Sequence, residues 1–550
     1  MRRGAVATAA AFAVALALLV VVHHDDGGSN RLSGEEAVAA ALRDPAVRWA
    51  LARSDYTRSR TTPIDDRLVR VSFFDGPRIV LDAAVDKNGK VHATNRFGDR
   101  YVRAGSDIGQ DPMILLILSM VFAIAAARAP LESKRNRDVT ALIAFAAPVL
   151  LMNARLLEWS VYAAVPPLVY LGVRCVRVAF TKASAAQPST SLLDDITAGL
   201  TPRARRRMLV LAVGAAALAL ALLSIPGGLV GDVAFASMAG ATGLLHGALP
   251  YGHLPQTELI HGDTYPLLAY ALYIPAALVS PVDDAFDSID GALFVATGFA
   301  LAGALAMYLV GRRLSAGDSR SAGLRMALAW LSFPPVMIAT SSGSNDVLAG
   351  ACVAWALASI AYAGRSALAV AVAGTVKLVP FLLLPAWVLC NRSAGALRAA
   401  GGAAVAVFGV AAWIFAVGGA SGFGDMLNAL SFQAERGSLL SVWTLTGTQP
   451  LQLVFQAAVI TFVLASAVRV WRDRELAADP GRIAALGAAI LIGVQLAANY
   501  WTYVYLPWLF PLVAVALLCE RPAQQSAPEP AADAPPLETP AAPPAQLARV

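Results

Sequence analysis

The chain has 550 residues, of which 57% are hydrophobic and only 15% are charged, and its mean hydropathy is +0.60. A soluble domain of this length could not bury so much apolar surface, so the composition excludes a soluble globular protein and indicates an integral membrane protein. The formal net charge of +6 does not indicate a nucleic-acid partner, because the basic residues gather in alternate short loops, as the positive-inside rule requires.

The amino-terminal residues predict a membrane anchor and a small polar domain. Residues 1–29 begin with Arg2 and Arg3, continue as an apolar run and lack a cleavage site of small residues, which is typical of an uncleaved signal anchor. Residues 30–108 predict a small extracytoplasmic α+β domain for sensing or docking. Its expected elements are an amphipathic helix over 35–53 and strands over 68–74, 78–85 and 91–95, with a hairpin turn at 87–90.

The rest of the chain predicts two blocks of membrane helices joined by a linker. Residues 109–182 form an accessory transmembrane block, 183–207 a polar cytoplasmic linker and 208–521 the main membrane domain. The Pro- and Ala-rich residues 522–550 predict a disordered cytoplasmic tail. Spans are expected near 113–127, 139–153, 158–173, 208–225, 289–311, 322–340, 346–363, 397–417, 450–468, 482–498 and 502–519.

Two segments of the main domain do not fit simple spans. The proline-interrupted residues 265–279 predict a re-entrant or interfacial helix, because a full crossing would place the arginines that follow on the outside. Residues 366–390 lie between Arg365 and Arg392, which both favour the cytoplasm, so we expect two short helices with Lys377 at their outward-facing tip. The prediction is an α-helical polytopic membrane protein with about fourteen crossings and both termini in the cytoplasm.

The predicted outer face of the main domain carries few ionisable residues. Asp232 follows the first span and heads a stretch without Lys or Arg until Arg312, so it lies outside, where a carboxylate could act as a catalytic base or simply cap a helix. Lys377 and Arg436 have no topological use on this face and suggest a bound anion, such as a lipid phosphate. Their structural alternatives are snorkelling of Lys377 to a headgroup and a surface ion pair of Arg436 with Glu435.

Short motifs follow one another along the main domain. They are Gly231-Asp232, Leu249-Pro250-Tyr251, Tyr265-Pro266-Leu267-Leu268, Ile274-Pro275, Ser344-Asn345-Asp346, Gly374-Thr375-Val376-Lys377-Leu378-Val379-Pro380 and the sequence YVYLPWLFP at 503–511. In this order the motifs resemble the C-type glycosyltransferases, especially the bacterial branch that depends on polyprenyl phosphate mannose. The resemblance covers about residues 208–519 and rests on the order of the motifs more than on any one of them.

The resemblance implies transfer of a sugar, with mannose expected, from a polyprenyl phosphate to a lipid or glycan hydroxyl at the extracytoplasmic face of the cell membrane, as part of cell envelope biogenesis. Asp232 matches the loop aspartate that acts as general base in one inverting displacement, and Lys377 and Arg436 would hold the donor phosphate. The chain departs from the family in lacking a second acid beside Asp232 after Gly231. Its block before residue 200 also lies outside the common core.

Polar residues of the outer loops are the expected sugar contacts. A metal site is the alternative there, but spacings of seven and eight residues between His246, His253 and His261 fit no compact ligand motif. We therefore expect no cofactor, and a divalent metal is the less favoured alternative. The expected substrate-binding residues are Tyr251, His253, His261, Asp263, Tyr265, Asn345 and Asp346, of which the last two have helix capping as their alternative.

Two other classes of function fit parts of the sequence. A transporter or flippase for a lipid-linked or anionic substrate would also use a broken helix and a buried lysine, although no duplication of two related halves is visible. A noncatalytic scaffold or sensor built around residues 30–108 would leave Lys377 without a reason. The glycosyltransferase interpretation, with a lipid-linked donor, a lipid or glycan acceptor and membrane lipids as its partners, is the prediction that we carry forward.

Overall fold

A computed structural model of the protein describes residues 32–52, 56–64, 67–96, 111–130, 132–181, 190–225, 232–254, 262–282, 289–315, 318–391 and 394–519. The expected signal anchor, the expected carboxy-terminal tail, Gly231 and His261 lie outside these residues.

The small domain, which comprises the described residues from 32 to 96, is a four-stranded antiparallel sheet with two helices packed on one face. Its elements are α1 (Gly34–Arg43), α2 (Pro45–Leu51), β1 (Arg58–Pro63), β2 (Leu68–Asp75), β3 (Arg78–Asp86) and β4 (Val91–Arg96). Val71, Phe73 and Leu81 pack with the two helices in one apolar cluster. Phe74 and Ile79, which pair across a β-bulge, are buried instead in the core formed by the membrane helices. The small domain is therefore packed against the rest of the protein.

The three predicted strands of the small domain are confirmed. The predicted helix is two helices, because the extended backbone of Asp44, before Pro45, ends α1. The Asp44 carboxylate then caps α2 by accepting hydrogen bonds from the amides of Ala46 and Val47. Strand β1 was not predicted, since its sequence RSRTTP is polar and lacks the apolar alternation of a half-buried strand. It nevertheless forms the sheet edge and pairs with β2 over its whole length.

Beyond the small domain, the described residues are mostly helical. Six of the described helices are long and apolar enough to cross a membrane, and there are seven crossings if one pair of helices bent by 55° counts as a single span. The predicted polytopic helical class is thus confirmed, whereas about fourteen crossings are not. The helices are α3 (Pro112–Ala126), α4 (Lys134–Ile143), α5 (Ala146–Asn153), α6 (Leu157–Phe180), α7 (Leu192–Ile196), α8 (Pro202–Ser224), α9 (Asp232–Leu245), α10 (Leu268–Ala271), α11 (Ile274–Ala277), α12 (Asp290–Leu314), the bent pair α13 (Ser319–Ser332) and α14 (Pro334–Ser341), α15 (Asp346–Ala358), α16 (Ala363–Val376), α17 (Leu384–Cys390), α18 (Ala394–Glu435), α19 (Val442–Thr446), α20 (Gln449–Arg472), α21 (Arg474–Ala478), α22 (Pro480–Ala497) and α23 (Leu506–Val513), with 3₁₀ turns at Val379–Leu383 and Tyr503–Tyr505 and a π turn at Ala514–Leu518.

Several predicted segments differ in the structure. The span expected at 139–153 is divided between α4 and α5, and the expected linker is folded from residue 190 onward. There, a short strand β6 (Thr190–Ser191) pairs with β5 (Arg128–Ala129), and Asp194 forms an ion pair with Arg205 at 3.2 Å. The interfacial helix expected at 265–279 is two single turns, α10 and α11. Much of the expected outer loop after residue 417 is helical, because α18 continues past a break at Gly419, whose φ of 62° is left-handed.

The predicted pair of short helices around Lys377 is confirmed. Helix α16 ends at Val376, and the chain turns through extended backbone at Lys377 into the 3₁₀ turn and α17. Gly374 allows this close return, because a Cβ atom at that position would overlap the buried ring of Phe381. The turn therefore presents the Lys377 side chain between two helices.

Candidate functional site

A cavity of about 680 Å³, including the part open to solvent, contains all three residues predicted to perform the chemistry. Asp232, Lys377 and Arg436 come from α9, from the turn after α16 and from the connection between α18 and α19. The described lining residues are Met152, Asp232, Val233, Tyr265, Ser342, Ser344, Asp346, Lys377, Arg436, Leu440, Tyr500, Thr502, Val504 and Tyr505. Segments that are remote in sequence thus converge on one space.

Asp232 is the exposed carboxylate of this cavity. It is the first residue of α9, and its Oδ1 accepts a hydrogen bond from the amide of Val233 at 2.9 Å. This position at a helix amino terminus favours negative charge. Among the residues that the structure describes, its carboxylate has no other hydrogen-bond partner, so an oxygen is available to accept a proton.

Lys377 forms a buried ion pair with Asp346. Its Nζ lies 3.2 Å from the Asp346 Oδ1, and the two side chains are only 7% and 1% exposed. Asp346 also accepts hydrogen bonds from Trp508 Nε1 at 2.9 Å and from the Ser344 hydroxyl. Burial of either charge alone would be costly, so each requires the other. The Lys377 ammonium is thus held inside the protein and does not snorkel to a headgroup.

Aromatic rings surround both cations of the cavity. The Lys377 Nζ lies 4.1 Å from the ring centroid of Tyr265, with the rings of Tyr505 and Trp508 at 5.8 and 5.9 Å. The Arg436 guanidinium carbon lies 3.9 Å from the ring centroid of Tyr500. Such cation–π contacts orient a charged group and leave its N–H donors available to an anion.

Most of these aromatic partners were not predicted as site residues. Tyr500, Tyr505 and Trp508 belong to one stretch at the start of the last predicted span, where aromatic residues are dense. That density was the available signal, because aromatic side chains gather near membrane interfaces and around bound cations or sugars. The sequence could not assign them to Lys377 or Arg436 in particular.

Some of the predicted sugar-binding residues line the cavity, and others contact the loop that carries Tyr265. Tyr265 and Asp346 line the cavity, whereas Tyr251, His253, Asp263 and Asn345 are absent from its described lining. The Tyr251 hydroxyl donates to the Tyr265 carbonyl at 3.3 Å, and Asp263 Oδ2 accepts from the Gly252 amide at 2.8 Å. The His253 ring nitrogen Nδ1 lies 2.7 Å from the Tyr251 carbonyl. These contacts brace the loop that carries Tyr265.

Asn345 has a different environment. Its side chain is fully buried beside Asp346, and neither its amide nitrogen nor its oxygen has a hydrogen-bond partner among the described residues. It does not supply a side-chain cap to α15. His261 lies outside the described residues, and within the described part no group of three or more His, Cys, Asp or Glu side chains is arranged to hold a metal ion.

The charged lining residues are balanced in number. Two carboxylates, Asp232 and Asp346, face two cations, Lys377 and Arg436, which gives a formal sum of zero. Since Lys377 and Asp346 form an ion pair with each other, Asp232 and Arg436 are the two remaining opposite charges among the described lining residues.

Comparison with known proteins gives one match. The model of glycosyltransferase family 87 matches residues 264–498, less than half of the chain. The matched segment includes Tyr265, Asp346, Lys377 and Arg436, but it begins after Asp232. No curated protein and no solved structure matches the chain. The match supports a membrane glycosyltransferase family, in agreement with the coarser part of the resemblance.

Proposed function

We propose that this membrane glycosyltransferase moves a sugar, expected to be mannose, from a polyprenyl phosphate donor to a lipid or glycan hydroxyl at the extracytoplasmic face. The family match supports glycosyl transfer. The observation that carries the proposal further is the shared cavity, in which the exposed carboxylate of Asp232 lies with the two cations Lys377 and Arg436. A base and an anion site are what transfer from a phosphate-linked sugar requires.

The proposed reaction is a single inverting displacement. Asp232 accepts the proton of the acceptor hydroxyl while the oxygen of that hydroxyl attacks the anomeric carbon. The bond between the anomeric carbon and the phosphate oxygen breaks, and polyprenyl phosphate leaves with the electron pair. The new glycosidic bond forms on the opposite face of the sugar, and the proton remains on the Asp232 carboxyl group until solvent removes it.

Lys377 and Arg436 have the complementary role in this proposal. The donor phosphate carries one negative charge as a diester and gains a second as it leaves, so fixed cations stabilise the transition state more than the ground state. The aromatic rings beneath both cations hold their positions before substrate binds. Asp346 would keep Lys377 charged and in place rather than contact the sugar.

Transfer of labelled sugar from a polyprenyl phosphate donor in membranes that contain the protein tests this function. Asp232→Asn should lower the rate about 10²- to 10⁴-fold, as removal of a general base does, without loss of folded protein. Asp425→Asn, which alters another exposed acid, is the matched control and should retain the wild-type rate. Wild-type activity of Asp232→Asn would exclude Asp232 as the base.

The phosphate role is tested separately. Lys377→Gln should raise the donor KM more than the acceptor KM, because the lost cation contacts only the donor in this proposal. An unchanged donor KM would contradict it. The rival transporter function predicts movement of an intact labelled lipid across the membrane with no new glycosidic bond, so product analysis in the same vesicles separates the two.

A further inference from the structure

The small domain contacts the segment that precedes α6. That segment also contributes Met152 to the cavity wall. The Ile79 amide donates a hydrogen bond to the Arg155 carbonyl at 3.1 Å. Arg155 has a left-handed φ of 64° and lies in the short connection after Met152, a cavity-lining residue. Phe74 and Ile79 are fully buried in the core of the membrane helices. The turn end of the central β2–β3 hairpin is thereby fixed to the accessory helices.

The small domain also contacts the segment that carries Arg436. The Gly437 amide donates to the Pro63 carbonyl of β1 at 3.1 Å. A Cβ atom on Gly437 would lie 2.7 Å from that carbonyl oxygen, so only glycine permits the approach. Beside this contact, Ile64 and Ala84 pack on Phe432, near the end of α18. Arg436 therefore lies between two residues that the small domain holds.

One arginine links these two regions. The Glu158 carboxylate of α6 accepts two hydrogen bonds from Arg58, at 3.1 and 3.0 Å, and one from Arg60 at 3.1 Å. Arg60 in addition donates to the carbonyls of Thr444 and Leu445, at 2.7 and 3.1 Å. Within the described residues, the Arg58 side chain donates hydrogen bonds to Gly76 and Glu158 but none to Thr444 or Leu445. Of the two arginines, Arg60 is thus the one that reaches α19, the helix that follows residues 436–441.

We infer that Arg60 is a positioning residue for Arg436 and that the small domain braces the cavity through it. The chain between α18 and α19 has no regular structure, so its ordering costs about 1–2 kcal/mol of backbone entropy per residue unless contacts fix it. The Pro63 carbonyl holds Gly437 near the start of this segment, and Arg60 holds α19, the helix that follows its end. On the other side, the Asn499 side-chain amide group donates to the Arg436 carbonyl at 3.2 Å and the Trp501 amide donates to the Leu440 carbonyl at 2.7 Å. Loss of the brace should therefore loosen the segment without unfolding it.

This inference deepens the proposed function and rests on it, because it assigns the small domain to the donor phosphate site. When the loop that carries the cation is already ordered, binding of the phosphate does not have to supply the free energy of ordering it. The donor KM is therefore lower. Disorder of the segment should therefore weaken donor binding while the base and the acceptor contacts remain intact. The small domain, which lies outside the matched residues 264–498, would thus help to position the cation that binds the donor phosphate.

The kinetic test compares Arg60→Gln with Arg58→Gln in the full-length protein. Arg60→Gln should raise the donor KM about tenfold, as expected for loss of charge-assisted contacts, with a smaller effect on kcat. Arg58→Gln, which weakens the same Glu158 link but spares the contacts to Thr444 and Leu445, should change the donor KM less than about threefold. Equal effects of the two variants would overturn the inference, because they would indicate general loss of docking.

A double-mutant cycle identifies the residue through which Arg60 acts. In an Arg436→Gln background, Arg60→Gln should cause no further rise in the donor KM, since the group that it positions is already gone. Additive effects of the two substitutions would exclude Arg436 as the target and would overturn the inference.

Hydrogen exchange of the full-length protein tests the brace without reference to sugar transfer. Arg60→Gln should speed exchange of the 436–447 amides, including the Gly437 amide that donates to Pro63, about tenfold over wild type and over Arg58→Gln. If Arg60→Gln exchanges these amides at the wild-type rate, the inference is overturned, even where sugar transfer by the wild-type protein supports the proposed function. If Arg60→Gln exchanges faster but the wild-type protein transfers no sugar, the brace is supported and the proposed function is refuted.

Discussion

The Lys377 ammonium lies 3.2 Å from the Asp346 carboxylate, and both side chains are almost completely buried at the edge of the cavity. The lysine that was expected to meet the donor phosphate thus has a fixed counterion inside the protein. In the proposed reaction the donor phosphate would add to this pair and would not replace Asp346, since a lysine ammonium has three donors. The pair links the stability of the membrane helices to the chemistry of the site.

Removal of one member of this pair should destabilise the protein. Asp346→Ala leaves the Lys377 ammonium buried without its partner and should lower the free energy of unfolding by about 3–5 kcal/mol. The change is measured by thermal or denaturant unfolding in detergent. The double variant Asp346→Leu/Lys377→Met should recover most of the stability but none of the transfer activity. A single variant as stable as wild type would show that the pair is not structurally required.

The ring beneath Arg436 should contribute to donor binding. Tyr500→Leu removes the cation–π contact at 3.9 Å and should raise the donor KM about three- to tenfold. Tyr500→Phe keeps the ring face and should bind donor nearly as well as wild type. Steady-state kinetics over donor concentration measures both. If Phe is as harmful as Leu, the hydroxyl group of Tyr500 rather than its ring is what the site uses.

The close return of the chain after Lys377 should depend on Gly374. An alanine methyl at 374 would overlap the Phe381 ring, so Gly374→Ala should cost about 1–3 kcal/mol of stability by overpacking. Gly401→Ala is the matched control, because its Cβ atom would meet open space and alanine is the better helix former by up to about 1 kcal/mol. Thermal unfolding of the two variants should move in opposite directions. A stable Gly374→Ala variant would contradict the close packing.

The sidedness of the cavity is tested by cysteine labelling in intact cells. The four native cysteines are first replaced. An impermeant thiol reagent should then label His253→Cys, an exposed position near the Tyr265 loop, from outside. The control Arg472→Cys, exposed at the end of α20, should react only after the membrane is permeabilised. The reverse pattern would place the cavity at the cytoplasmic face.

Charge patterns in the sequence predicted the pair of short helices on either side of Lys377. Arg365 and Arg392 could not both lie in the cytoplasm unless the chain between them turned back, which gave the short-helix pair and its tip at Lys377. Charge patterns did not predict Asp346 as the partner of Lys377. Periodicity and charge describe one element at a time, whereas this ion pair depends on how α15 packs beside α16.

Other features were hidden because their sequences resemble something simpler. The polar strand β1 resembles a surface loop, and its two arginines make sense only beside Glu158 of a helix about a hundred residues later. The helix after Gly419 resembles a loop because a glycine break follows a long apolar span. Asn345 resembles a helix cap, yet its amide caps nothing. In each case tertiary contacts decide what local preference leaves open.

Met152 and Tyr505 line the same cavity although most of the chain is synthesised between them. The wall that contains Tyr500 and Tyr505 can therefore form only after the chain has been synthesised through the Tyr503–Tyr505 turn. A nascent chain that ends before Tyr500 would hold Asp232, both cations and the ring of Tyr265 without the rings of Tyr500 and Tyr505. Whatever reaction the cavity supports therefore begins only after Tyr505 has been synthesised.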